Sequence, residues 1–153
     1  MNRKIRGRFK PLSKGSLLAG AAKEEITPPV GTRRYYGVST EVDLPLYTKA
    51  LVLNDGKETI GISTSDVIYT YPDIVSEARR AIKEKTGIQG ENMLFCASHT
   101  HEGPEIEGTY RKFYLDKVVN AVCKAWDNRT EASIGAVKGA VVGVHINRRN
   151  PYG

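Results

Sequence analysis

The stretch from Tyr47 to Ala97 leaves this chain few ways to fold. Tyr47-Thr-Lys-Ala-Leu-Val-Leu-Asn54 reads as a strand, Asp55-Gly56-Lys57 as a tight turn and Thr59 to Asp66 as the partner strand, together a β-hairpin. Pro72 to Thr86 follows with helical period. Pro72 suits the first turn, Asp73 favours the positive end, Ile74, Ala78, Ala81 and Ile82 share one face, and Gly87 stops the helix. Gln89 to Asn92 is a turn, and Met93 to Ala97 is an apolar strand. Hairpin, helix, strand in that order predicts a parallel crossover. The expected class is therefore α/β, a layered sheet flanked by helices.

The rest of the chain fits that class. Leu17 to Lys23 reads as a first strand, and Pro28-Pro29 forces the residues after it into an irregular extended segment. Arg33 to Glu41, with Tyr35-Tyr36-Gly37, reads as loop. A second helix is predicted from Arg111 to Trp126, with Phe113, Val118, Val119, Val122 and Trp126 on its apolar face. Ala132 to Val137 and Ala140 to Ile146 are predicted strands. The polar run Asn147 to Gly153 directly after a strand reads as a domain cut short at its C-terminus, with residues 1–16 a basic disordered tail and 17–153 one domain.

With 153 residues the chain has room for one cored domain, and no apolar run approaches a membrane span. The net charge of +6 is concentrated: Arg3, Lys4, Arg6, Arg8, Lys10 and Lys14 face no acid in the first fourteen residues, and the remainder is balanced. The charge describes a tail rather than a nucleic-acid-binding face. A basic-tailed binder of anionic surfaces is the weaker reading of it. Leu17 to Ala22 is too short and broken for the apolar core of a secretory signal, so the default expectation is cytoplasmic. Cys96 and Cys123 are too few for a disulfide framework and read as small buried hydrophobes.

Chemistry points to one place. The strand Met93–Ala97 runs into Ser98-His99-Thr100-His101-Glu102 and breaks at Gly103-Pro104, and two of the three histidines sit there. In an extended strand, i and i+2 project to the same side, so His99 and His101 are expected together at the strand end, half of a metal site. A solvated or hydrogen-bonded pair is the structural alternative. His145 alternates with valine and isoleucine and reads as a strand-face residue. Asp66, ending the preceding strand, is either a carboxylate that orients His99 from outside the metal shell or a local cap. Glu102 and Glu105 are weighed as acid/base groups against solvated carboxylates, Arg149 as a surface charge, and Tyr35, Tyr36 and Tyr110 as lipid-facing or simple packing residues.

Several segments, in order, resemble the neutral/alkaline (non-lysosomal) ceramidase family. Ala19-Gly20-Ala-Ala-Lys-Glu-Glu-Ile-Thr-Pro-Pro-Val-Gly31 is similar to the family's "AG…DITPP.G" opening, and Leu46 to Leu53 to its "LYAKALVL" strand. Ser65-Asp66 stands where the family has a strand-end aspartate, and Thr86-Gly87-Ile88 with Glu91-Asn92 precede the next strand as they do there. Ser98 to Pro104 resembles "THTHSGP", with Glu102 in place of a small residue, and Asn147-Arg148 resembles the later "NR" element. The resemblance covers about residues 17–151 and implies half of an α/β/β/α catalytic domain. It implies a zinc-dependent amidase that cleaves the N-acyl bond of ceramide-like lipids to a sphingoid base and a fatty acid. His99 would be the zinc ligand, with His101 and Arg148 facing the substrate.

The family's second zinc histidine, glutamate and tyrosine lie beyond position 153. The expectations are accordingly a Zn²⁺ amidohydrolase portion whose site is completed by more chain or a second chain, or a catalytically incomplete module keeping the fold. No nucleic acid is expected as a partner. The resemblance also leaves a secreted or periplasmic location open.

Overall fold

A computed structural model of the chain describes residues 17–140, Gly143 and Arg149. Within the compact unit of residues 15–132, the elements are β1 (Leu17–Glu25), β2 (Arg33–Arg34), β3 (Gly37–Val38), β4 (Tyr47–Asn54), β5 (Thr59–Ser65), α1 (Pro72–Thr86), a single 3₁₀ turn (Gly90–Asn92), β6 (Met93–Ala97), α2 (Gly108–Asp127) and β7 (Thr130–Ala132). The described residues 133–140 are exposed and form no regular element. The predicted strand at Ala140 to Ile146 lies almost wholly outside the described residues.

Five strands form one mixed sheet in the order β6-β5-β4-β1-β7. The β4–β5 hairpin pairs Thr48 with Ser65 through Asn54 with Thr59. Its turn is closed by Asp55, whose Oδ1 accepts from the Lys57 and Glu58 amides at 2.9 and 2.8 Å, and by Gly56 at φ 87°. β6 then pairs in parallel with β5, Gly61 with Met93 through Ser65 with Ala97, as the crossover predicted. α1 covers the residues expected of it: Gly87 caps it in the left-handed conformation, its N–H bonding the Lys83 carbonyl at 2.9 Å.

Alternate residues of each strand turn toward the helices. Thr48, Ala50 and Val52 of β4, Gly61, Ser63 and Ser65 of β5 and Met93 of β6 are buried. They meet Ile74, Ala78 and Ile82 of α1 and Val118, Ala121, Val122 and Ala125 of α2 in one core. Burying each of the larger aliphatic side chains contributes about 1.5–3 kcal/mol. The hydroxyls inside this core satisfy one another: Ser65 Oγ donates to Thr48 Oγ1 at 2.9 Å. The opposite face leaves Leu51, Ile60 and Leu94 exposed. Among the described residues the architecture is thus a sheet with helices on one face.

Three local expectations are corrected. The segment 33–41 is not plain loop, because Arg33 pairs with Val38 and Arg34 with Gly37 in a minimal hairpin whose turn is Tyr35-Tyr36. α2 starts at Gly108 rather than Arg111. A glycine with no capping side chain gives no helix-start signal; the first turn is held instead by the Tyr110 hydroxyl donating to the Ile26 carbonyl and by Tyr110 packing on Phe113 and Tyr114. The strand predicted at Ala132 to Val137 is Thr130–Ala132, paired antiparallel with Leu17–Ala19 of β1.

Candidate functional site

Two parallel strands, β5 and β6, deliver their C-terminal ends side by side, the usual location of a site on an open α/β sheet. The pairing continues past the strands themselves. The Ser98 amide donates to the Ser65 carbonyl at 3.0 Å and the His99 amide to Val67 at 3.1 Å. The chain then reverses at His99, which takes φ 63°, a left-handed conformation that a β-carbon disfavours. Gly103 lies tight against the β5 exit: a β-carbon there would sit 3.1 Å from the Asp66 carbonyl oxygen. The site loop 98–104 is therefore pressed onto residues 66–68.

His99 and His101 do come together, their ring centroids 5.1 Å apart. Strand alternation is not the cause, since β6 ends at Ala97; the reversal at His99 folds the two imidazoles toward each other. His99 Nδ1 lies 2.8 Å from the Ile68 carbonyl oxygen. A carbonyl only accepts, so Nδ1 carries a proton in this bond, and the neutral form of the ring would have its lone pair on Nε2. That is the tautomer a metal-ligating histidine uses, with a backbone carbonyl fixing the ring.

Asp66 does not provide this bond. Its Oδ2 accepts from the Tyr47 amide at 3.0 Å and lies 3.3 Å from Lys49 Nζ. The carboxylate ties the mouth of β4 to the end of β5, and the group orienting His99 is the carbonyl two residues on. Sequence could not show this, because every residue carries a carbonyl and only the fold selects one.

A second hairpin borders the pair. Arg34 of β2 forms an ion pair with Glu102, Arg33 pairs with Glu105 at 3.2 Å, and the Glu105 amide donates to the Arg33 carbonyl at 3.0 Å. Arg34 and Pro104 form an isolated antiparallel bridge. Both glutamates weighed as acid/base groups are thus engaged with arginines. The clasp sets Tyr35 and Tyr36 at 5.9 and 5.6 Å from the His101 ring, while Tyr69 lies 5.3 Å from His99.

Of two sizeable cavities, the smaller borders the loop. One of about 610 Å³ is lined by Thr100 and Glu102, on either side of His101, together with Arg34, Val42, Leu44 and Leu46 among others. A larger one, about 880 Å³, lies between Pro28, Pro29 and the first turn of α2 at Tyr110 and Phe113, and none of its lining residues is a histidine. Tyr110, on its wall, stays protonated because burial pushes its hydroxyl above the ordinary phenol range. Burial likewise raises Tyr71, with the nearby Glu105 charge adding to it, and raises the Cys123 thiol.

Arg148 and His145 lie outside the described residues. Among the described residues no three His, Cys, Asp or Glu side chains converge as a metal centre. The residues described do not by themselves fit a catalytic zinc, which takes three protein ligands and one open position. No helix of the described residues is long and apolar enough to cross a membrane.

No family model matches the chain, and no curated protein does. Solved structures do. The neutral ceramidase of Pseudomonas aeruginosa superposes with a TM-score of 0.68 at 17% identity, over 78% of this chain and 23% of that one. A ceramidase complexed with C2 gives a TM-score of 0.68 at 17% identity, over 77% and 22%. The chain thus spans less than a quarter of the length of either ceramidase, and what it shares with them is the fold, as its motif resemblance led one to expect.

Proposed function

We propose that this chain carries one portion of the active site of a ceramidase-like hydrolase, acting on the N-acyl amide bond of a ceramide-like lipid. The observation that carries the reading is the His99–His101 pair at the joined ends of two parallel strands. His99 is held there by the Ile68 carbonyl in a ligand-competent tautomer, within a fold shared with neutral ceramidase. In this reading His99 is the Zn²⁺ ligand contributed by the chain. His101 donates to the amide oxygen, and Arg148 faces the substrate. A donor placed where negative charge develops on a carbonyl oxygen is typically worth about 2.7–4 kcal/mol of barrier. The remaining zinc ligands come from residues outside those described or from a second chain.

The second reading keeps the fold without the chemistry: a catalytically incomplete module. It is favoured by the absence of a three-ligand group among the described residues.

The test is a Zn²⁺ titration of the 153-residue chain followed through the imidazole Hε1 signals, beside His99→Ala, with zinc content measured after dialysis. The ligand role predicts that the His99 signal moves with added zinc and that His99→Ala abolishes uptake. Zinc that leaves both imidazole signals in place refutes it. Retained zinc at about one per chain, with hydrolysis of a short N-acyl amide that His99→Ala removes, selects the enzyme. Weak zinc lost on dialysis selects the incomplete module.

A further inference from the structure

One face of the sheet carries no helix, and the strand registers show what it presents. Ala21 of β1 stands opposite Leu51 of β4, Leu51 opposite Ile62 of β5, and Ile62 opposite Leu94 of β6. These four form one row across four strands. They alternate with the buried Gly20, Val52, Gly61 and Met93, so they point away from the helices. The next row, Ala19, Leu53 and Ile60, is apolar as well. Leu51, Ile60 and Leu94 are 37%, 44% and 56% exposed. Single exposed leucines are ordinary, but two adjoining apolar rows on one face mark an interaction surface.

The charges bordering this band are engaged. Toward the histidine loop the following row is Lys23, Lys49, Thr64 and Cys96. Lys23 Nζ lies 4.3 Å from the centre of the Tyr47 ring, and Lys49 Nζ lies 3.3 Å from Asp66 Oδ2. At the other end the hairpin turn places Lys57 between Asp55 and Glu58. Such a face attracts neither a nucleic acid nor an anionic bilayer. It does not enclose a small ligand either, since the two sizeable cavities are lined by other residues.

Another flat sheet fits it. Two copies of one sheet carry the same twist, so they stack about 30° apart with side chains interleaved across about 10 Å. A two-fold axis lays the same rows over one another, each residue meeting an equivalent set on the partner. Three rows on four strands measure about 20 Å by 20 Å. With the relief of the side chains, two copies together lose on the order of 1,000 Å², the lower bound for a specific interface. We propose that two copies of this chain associate through the bare face of the sheet, as a reversible two-fold dimer with the helices outermost. The inference is independent of the amide-hydrolase reading.

Cys96 is a reporter on this face, and Cys123 on α2 is the internal reference. The 153-residue chain is examined by sedimentation velocity from about 5 to about 500 µM, where mass action populates a micromolar dimer. At each concentration a brief pulse of N-ethylmaleimide, read by peptide mass spectrometry, gives the labelling rate of both thiols. The dimer predicts a monomer-to-dimer transition, with Cys96 labelling slowed about threefold or more across the range and Cys123 labelling constant. Leu51→Lys and Leu94→Lys each place a charge on a side chain that is solvated in the monomer. Both variants remain monomeric at the highest concentration, and their Cys96 rate no longer depends on it. Asn120→Lys, on the exposed side of α2, dimerises as wild type does.

A chain that stays monomeric throughout overturns the proposal, as does a dimer that survives both lysine variants. Dimerisation lost in Asn120→Lys but kept in Leu51→Lys assigns the contact to the helix layer and overturns it. A monomer whose Cys96 is protected only by phosphatidylcholine vesicles assigns the face to a lipid surface and overturns it too.

Discussion

Replacing Gly20 by alanine tests how closely α2 lies on the sheet. Gly20 is buried on β1, and its conformation is one any residue adopts, so the substitution acts through space alone. The added β-carbon would sit 2.0 Å from the Ala125 carbonyl oxygen, 2.8 Å from the Arg129 nitrogen and 3.0 Å from the Asn128 carbonyl carbon. All three are backbone atoms at the end of α2, so no side-chain rotation relieves the clash. The helix end must retreat by about 1 Å to reach even the shortest tolerated contact. Overpacking a core costs about 1–3 kcal/mol, and a rigid neighbour places this site at the upper end. About 3 kcal/mol corresponds to a fall in melting temperature of roughly 6–12 °C for a chain of this size. The control is Gly61→Ala, whose β-carbon would meet Met93 Sδ at 2.3 Å. Methionine is unbranched and can swing aside, so that variant should lose about 1 kcal/mol. Thermal melts by circular dichroism and urea unfolding with unchanged m-values measure both. A Gly20→Ala protein within about 0.5 kcal/mol of wild type, or a Gly61→Ala protein less stable than it, refutes the helix–sheet packing described.

Glu24, buried on β1, is bonded by Lys124 and by Lys117, and those bonds hold its carboxyl below the usual carboxylate range. A lowered folded pKa contributes stability that is complete above the ordinary glutamate value and disappears as pH falls through the lowered one. Glu24→Gln should therefore narrow its gap from wild type as pH falls through that acid window in urea titrations; a constant gap from pH 7 to pH 3 is the contrary result. Tyr110→Phe deprives the buried Ile26 carbonyl of its hydroxyl partner and should cost about 1–3 kcal/mol; a neutral result places that carbonyl in contact with water. His99→Gly should be about 1 kcal/mol more stable than His99→Ala, since both lose the Ile68 bond but only glycine relieves φ 63°. Equal melts for those two variants refute a strained reversal at the site.

Short-range chemistry made much of this fold legible before any coordinates. Asp55-Gly56 closes its hairpin through contacts three residues long, and α1 carries its own start and stop in Pro72 and Gly87, so both ranges follow from neighbouring residues. The parallel crossover follows from their order. The candidate site was legible as a place, since His99 and His101 are two residues apart at the end of an apolar strand. Its geometry was not. The choice of the Ile68 carbonyl over Asp66 to hold His99, and the clasp of Arg33 and Arg34 on Glu105 and Glu102, join segments 31 to 72 residues apart. The start of α2 likewise depends on a bond from Tyr110 to Ile26 across 84 residues. Such contacts are selected by which surfaces the packed sheet and helices bring together, and that is decided only once the whole core closes.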